Sequence, residues 1–124
     1  MIQVNNLTKK ADTFADNLDE LGVDVIDIEP IIDKRAFHII TEAGSDQDRD
    51  ETVRYVTSAY QYAVHSFGDE TVERIDIELR APTGERAVEH TVKREWLPAD
   101  RDDVDGWDRM IDLINRTHEV IHDD

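Results

Sequence analysis

The chain contains no cysteine, which excludes a disulfide, a thiol nucleophile and a thiolate metal site and leaves its redox compartment unmarked. Its 3 prolines and 5 glycines stand apart from one another, the glycines where elements should end, so no Gly-rich phosphate-binding loop occurs. Ser45, Ser58 and Ser66 sit in no nucleophile elbow. Positive charge is scarce: 14 Lys and Arg face 30 Asp and Glu, a formal net charge of -16. Neutralising phosphate takes clustered Lys and Arg, so direct binding to nucleic acid or to an anionic membrane surface is disfavoured. No apolar run reaches the roughly 18 to 20 residues of a membrane span. The opening MIQVNNLTKKADTF also lacks the apolar block of a signal peptide. A soluble, cytoplasmic protein is the expectation.

What is present fits one domain, 1–124, because 124 residues close one modest core and are too few for two. Hydrophobic residues make up 39% of the chain and recur at regular spacings, which argues against an acidic coil. Asp outnumbers Glu by 19 to 11 and Arg outnumbers Lys by 10 to 4. So large a net charge pushes a compact state apart in dilute buffer, and concentrated monovalent salt screens it. The composition suits a protein of a salty cytoplasm.

Leu7, Ala11, Phe14, Leu18 and Leu21 recur at helical spacing and predict a helix over about 6–21, ended by Gly22. Two short strands are expected at about 23–28 and 36–43, the first with its alternation broken where Val25 and Ile26 adjoin. Ser45 or Asp48 can cap a second helix over about 48–67. Ile75, Ile77 and Leu79 alternate with Asp76, Glu78 and Arg80 in a strand at about 72–81. The turn Pro82-Thr83-Gly84 leads to a fourth strand at about 86–96 with Val88, His90, Val92 and Trp96 on one side. A third helix is expected over about 104–121. The order α-β-β-α-β-β-α predicts an α+β fold of two layers, a four-stranded, largely antiparallel sheet with helices on one face. Charges of both signs on the outer face of the second hairpin read as water-facing or weakly ion-paired.

All three tyrosines fall in YVTSAYQYAV, residues 55 to 64. At 100° per residue Val53, Val56, Tyr60, Ala63, Val64 and Phe67 share the core arc, whereas Tyr55 and Tyr62 lie nearly opposite, with Ala59 on the flank between them. Tyr60, Trp96 and Trp107 are structural candidates. Tyr55, Ala59 and Tyr62 are interface candidates, since tyrosine buries much area at little entropic cost. A neighbouring helix covering the row, or single exposed rings without a role, would also account for the pattern.

Two segments invite a metal reading. DRDDVDGWDRMID, from Asp100, puts Asp103, Asp105 and Asp112 at calcium-loop positions, but Arg101 takes the first ligand position, and Asp102, Asp103 and Asp105 are better explained as a cap and a favourable charge at a helix N-terminus. HEVIH, residues 118 to 122, matches the His-Glu-x-x-His order of zinc hydrolases, with His118 and His122 one helical turn apart. His118 also lies on the apolar stripe, so a hydrogen-bonded structural histidine competes with that reading. No metal, other cofactor or catalytic residue is assigned, and the chain is read as a non-enzyme.

The helix DETVRYVTSAYQYAV followed by the hairpin VERIDIELRAPTGERAVEHTVKREW resembles a group of small uncharacterised proteins of halophilic archaea. Ala59, Tyr60, Ala63, Val64, Asp76, Gly84, Val92, Glu95 and Trp96 match best, over roughly residues 48 to 121. The resemblance implies the α+β fold and a saline setting, and no activity. Many of the relatives look like lipoproteins with a cysteine anchor, which this chain lacks. The leading expectation is a protein-interaction module, a homodimer or a binder of another protein. The alternatives are a metal-binding protein or hydrolase using His118 and His122, or a regulator reaching nucleic acid only through a partner.

Overall fold

The computed structural model describes residues 2–43, 46–66, 72–84, 86–100 and 102–123, with the side chains of 2–8, 32, 46–47, 66, 86 and 121–123 left aside. Helix α1 runs Ile2–Glu20 and buries Ala11, Phe14 and Leu18. Gly22, at φ 87°, ends it. The Val23 amide donates to the Leu18 carbonyl and the Gly22 amide to that of Asp19, the paired bonds of a Schellman cap. Nothing lies within 4 Å of a Cβ placed at Gly22. Gly22→Ala therefore meets only the left-handed backbone penalty, an expected loss of about 1–2 kcal/mol, read as a lower urea midpoint at unchanged slope.

Strand β1, Val25–Ile31, pairs antiparallel with β2, Ala36–Glu42. Their register shifts between Val25 and Asp27, which leaves Ile26 as the extra residue of a bulge. That bulge is the cause of the broken alternation. β1 also extends past the expected end through Pro30, because it is an edge strand and proline is tolerated there.

Helix α2, Asp46–Gln61, continues as a wider π turn over Tyr62–Ser66. Since the helix begins at Asp46, Asp48 lies inside its first turn and not at the cap. Ser45, Phe67 and Gly68 lie outside the described residues. Strand β3 is Arg74–Arg80 and β4 is Arg86–Lys93, in the expected antiparallel register. The chain leaves β4 in a short 3-10 turn, Arg94–Trp96, so Trp96 lies beyond the strand. Helix α3, Val104–Arg116, is capped by Asp103, whose Oδ1 accepts from the Gly106 amide at 3.0 Å. The acids before Trp107 thus include a helix cap, as expected for that segment.

Two expectations about the sheet are corrected. It has five strands, in the order β1-β2-β3-β4-β5, and its central pairing, β2 with β3, is parallel. The parallel pair follows from α2, which carries the chain back to the end of the sheet where β2 began. The fifth strand is β5, Glu119–Asp123, antiparallel to β4. The third helix, expected to reach about residue 121, stops at Arg116. There Thr117 takes non-helical angles, and its hydroxyl donates to the Ile114 carbonyl while its Oγ1 accepts from the Thr91 amide of β4. Thr, His, Val and Ile beyond this point are weak helix formers, and β4 offers them an open edge.

Residues of all three helices and of β2, β3 and β4 join in one apolar cluster, with Phe37, Ile39, Ile75, Ile77, Leu79, Val88 and Val92 as its sheet layer. The helices therefore cover one face of the sheet. Val53, Val56, Tyr60 and Val64 form the buried arc of α2, and the Tyr60 hydroxyl donates to the Val72 carbonyl. Trp96 and Trp107 pack half-buried against the cluster, and the Lys93 ammonium sits 5.5 Å from the centre of the Trp96 ring. Among the described residues no helix is long and apolar enough to cross a membrane.

Candidate functional site

On the side of α2 turned away from the sheet, Tyr55 is 43% exposed and Tyr62 47%. Both residues stay a little under half exposed beside α1 and α3, whose residues line a groove of about 740 Å³ with Tyr62. Its apolar lining is Leu21, Ala59, Tyr62, Trp107 and Ile111, with Arg54 and Asp108 among its polar residues. Ala59 is half-buried and Ser58 exposed, so the strip between the two tyrosines is low. The buried Gln61 amide donates to the Pro98 carbonyl and ties the end of α2 to the segment before α3.

The histidines are arranged differently from the chelate suggested by HEVIH. His122 pairs with Ala87 in β5, and His118 precedes that strand. Four residues along an extended chain span about 13 Å, against one turn of a helix, so the two cannot form the one-turn clamp of a zinc hydrolase. His118 meets His90 instead: Nδ1 of His118 lies 3.3 Å from Nε2 of His90, and Nδ1 of His90 lies 3.3 Å from the Ile114 carbonyl. A carbonyl only accepts, so His90 donates from Nδ1 and accepts from His118 on Nε2. His90 is thus the neutral tautomer that carries its proton on Nδ1.

Burial holds the His90 pKa below the usual histidine value. The His118 ring and Arg49 lower it further, while the bond to Ile114 and the charge of Asp50 act the other way. The unfolded chain then binds the proton first as pH falls below about 6.5. Stability from this contact is complete above that pH and declines as pH drops toward the depressed folded value. Comparing wild type with His90→Asn by thermal melting between pH 7.5 and 5.5 should show the steeper acid loss in wild type.

The outer face of the sheet departs from its expected wet, weakly paired character. Alternation places Glu29, His38, Glu78, Glu89 and Glu119 on this face, and the register sets Glu29 opposite His38, Glu78 opposite Glu89, and Glu89 opposite Glu119. Asp76 and Glu78 are only 8% and 7% exposed. Arg74 pairs with Asp76 at 3.2 Å, Thr91 donates to Asp76 at 2.9 Å, and Arg80 donates through Nε to Glu78 Oε2. His38 lies between two carboxylates, with Nε2 3.1 Å from Glu78 Oε1 and Nδ1 3.9 Å from Glu89 Oε2. The Glu89 pKa is raised, first by burial and then by the Asp76 charge; Glu119 and Glu78 add to this and His38 opposes it. Directly opposed like charges cost stability on a sheet.

Glu78 and Glu89 were within reach of sequence reasoning, because a hairpin turning at Pro82-Thr83-Gly84 puts them face to face. His38 arrives only through the parallel pairing of β2 with β3. Among the described residues, His38, Glu78 and Glu89 are the group whose ligand atoms all lie within 4.8 Å of one another. No protein-family model matches the chain, and no curated protein or solved structure matches it either, so the likeness to the haloarchaeal group rests on residue pattern alone.

Proposed function

We propose that this is a non-enzymatic, self-associating interaction module of a saline cytoplasm, and that two copies pair through the outward side of α2. The observation behind the reading is the row Tyr55, Ala59 and Tyr62, two exposed rings around a low strip beside an apolar groove. A two-fold antiparallel crossing centred between Ser58 and Ala59 would set Tyr55 of each copy against Tyr62 of the other, as an isologous contact requires.

Charge favours that direction over a parallel one. Asp48, Asp50 and Glu51, against the single Arg49, lie in the first turns of α2, whereas its last stretch, Tyr62–Ser66, has no acid. Antiparallel copies keep the two acidic ends apart; parallel copies would stack them. The test is light scattering after size-exclusion chromatography in about 2 M KCl, which screens the acidic surface. Wild type should elute as a dimer, and the double variant Tyr55→Ser, Tyr62→Ser as a folded monomer. Monomers in both cases would sink the reading.

A further inference from the structure

We propose that the outer face of the sheet binds one divalent first-row transition-metal ion through an imidazole nitrogen of His38 and the carboxylates of Glu78 and Glu89. The site is separate from the α2 face and does not depend on self-association. Its three residues come from β2, β3 and β4, adjacent strands whose hydrogen bonding fixes their spacing.

The donor set is one nitrogen and two carboxylates, the kind that Zn2+ or Mn2+ accepts. Donors bound at about 2.0–2.2 Å around one ion stand roughly 3.0–3.5 Å apart. His38 Nε2 and Glu78 Oε1 already stand at 3.1 Å. All three ligand atoms fall within 4.8 Å of one another, so the remaining closure is a side-chain adjustment of Glu89, which is about a quarter exposed and gives the ion access from solvent.

The surroundings hold the ligands from behind. Arg80 occupies the other oxygen of Glu78 and leaves Oε1 to point at His38, an outer contact of the sort that orients metal ligands. Arg74 and Thr91 engage Asp76, so that carboxylate is already used. Among the described side chains no Lys or Arg pairs with Glu89, although it stands between Glu78 and Glu119 in the ladder. A 2+ ion would neutralise the two ligating carboxylates and remove the repulsion between opposed Glu78 and Glu89. A histidine merely ion-paired to them would need to be protonated, with both ring nitrogens donating.

The measurement is isothermal titration of the full chain with Zn2+, and separately with Mn2+, at pH 7.5 in KCl concentrated enough to screen diffuse binding by its many carboxylates. Mg2+ serves as the control for such diffuse binding. One equivalent should bind with a rise in melting temperature, and His38→Ala should weaken it tenfold or more. Glu89→Gln, nearly isosteric and partly exposed, should do the same and guards against a His38 variant that fails to fold. His118→Ala should leave binding unchanged. No saturable binding of either transition metal, binding matched by Mg2+, or loss on changing His118 while His38→Ala and Glu89→Gln bind normally would each overturn the proposal.

Discussion

Ile77→Ala should destabilise the protein by about 2–5 kcal/mol, the range for removing a fully buried large aliphatic side chain. Ile77 is completely buried and sits in the middle of β3, the central strand, opposite Ile39 on one side and His90 on the other. The three carbons removed, one methylene and two methyls, lie in a layer fixed on both sides by hydrogen-bonded strands, so the walls cannot close on the void. Domains of this kind have about 5–15 kcal/mol in all, and the variant should therefore be partly unfolded at room temperature if the parent lies near the lower figure. Urea denaturation in about 2 M KCl, compared with Ile77→Val at about 0.5–1.5 kcal/mol, checks both the size and the cause. Similar losses for both variants would mean that β3 tolerates repacking better than its position implies.

The position of Ile77 was plain in the sequence, since Ile75, Ile77 and Leu79 alternate with charged residues, and Gly22 and Asp103 announced the helix ends they make. Other features needed contacts that no local pattern carries. The segment from His118 to His122 has two adjacent β-branched residues and a histidine at each end, too short to show a period of two against one of 3.6. What decides it is the free side of β4, more than twenty residues back in the chain. The parallel pairing was hidden in the same way: an α-helix between two hairpins fits several sheet orders, and only the placement of β2 beside β3 selects one. His38 consequently has no partner that the sequence alone assigns, although Glu78 and Glu89 can be matched through their turn. The outward tyrosines lay between these extremes, because helical phase set their direction while the exposure of their rings depended on where α1 and α3 came to rest.

The proposed pairing through α2 should strengthen about tenfold or more between 0.1 and 2 M KCl, a gain of about 1.4 kcal/mol or greater. Each copy has a formal charge of -16, so pairing brings two strongly anionic bodies together. The screening length is about 10 Å at 0.1 M and about 3 Å at 1 M, which confines the repulsion to charges in direct contact as salt rises. The apolar part of the contact acts in the opposite sense to the charge and is not weakened by salt. Analytical ultracentrifugation across a KCl series reads the dissociation constant directly. A constant that weakens with salt would instead identify an interface built on ion pairs, for which Arg54 beside the groove would be the first residue to change.

The kink at Ile26 and the proline four residues later bear on what happens when many copies are crowded together. An unbroken outer strand offers its spare amides and carbonyls to any passing chain and can seed an endless stack of sheets. Here the row of donors is interrupted at Pro30, the local twist at Ile26 turns the backbone aside, and Asp27 and Glu29 project outward from what is left. Growth by strand addition has no straight template on this side. At high concentration this edge of the sheet thus resists templating a fibre.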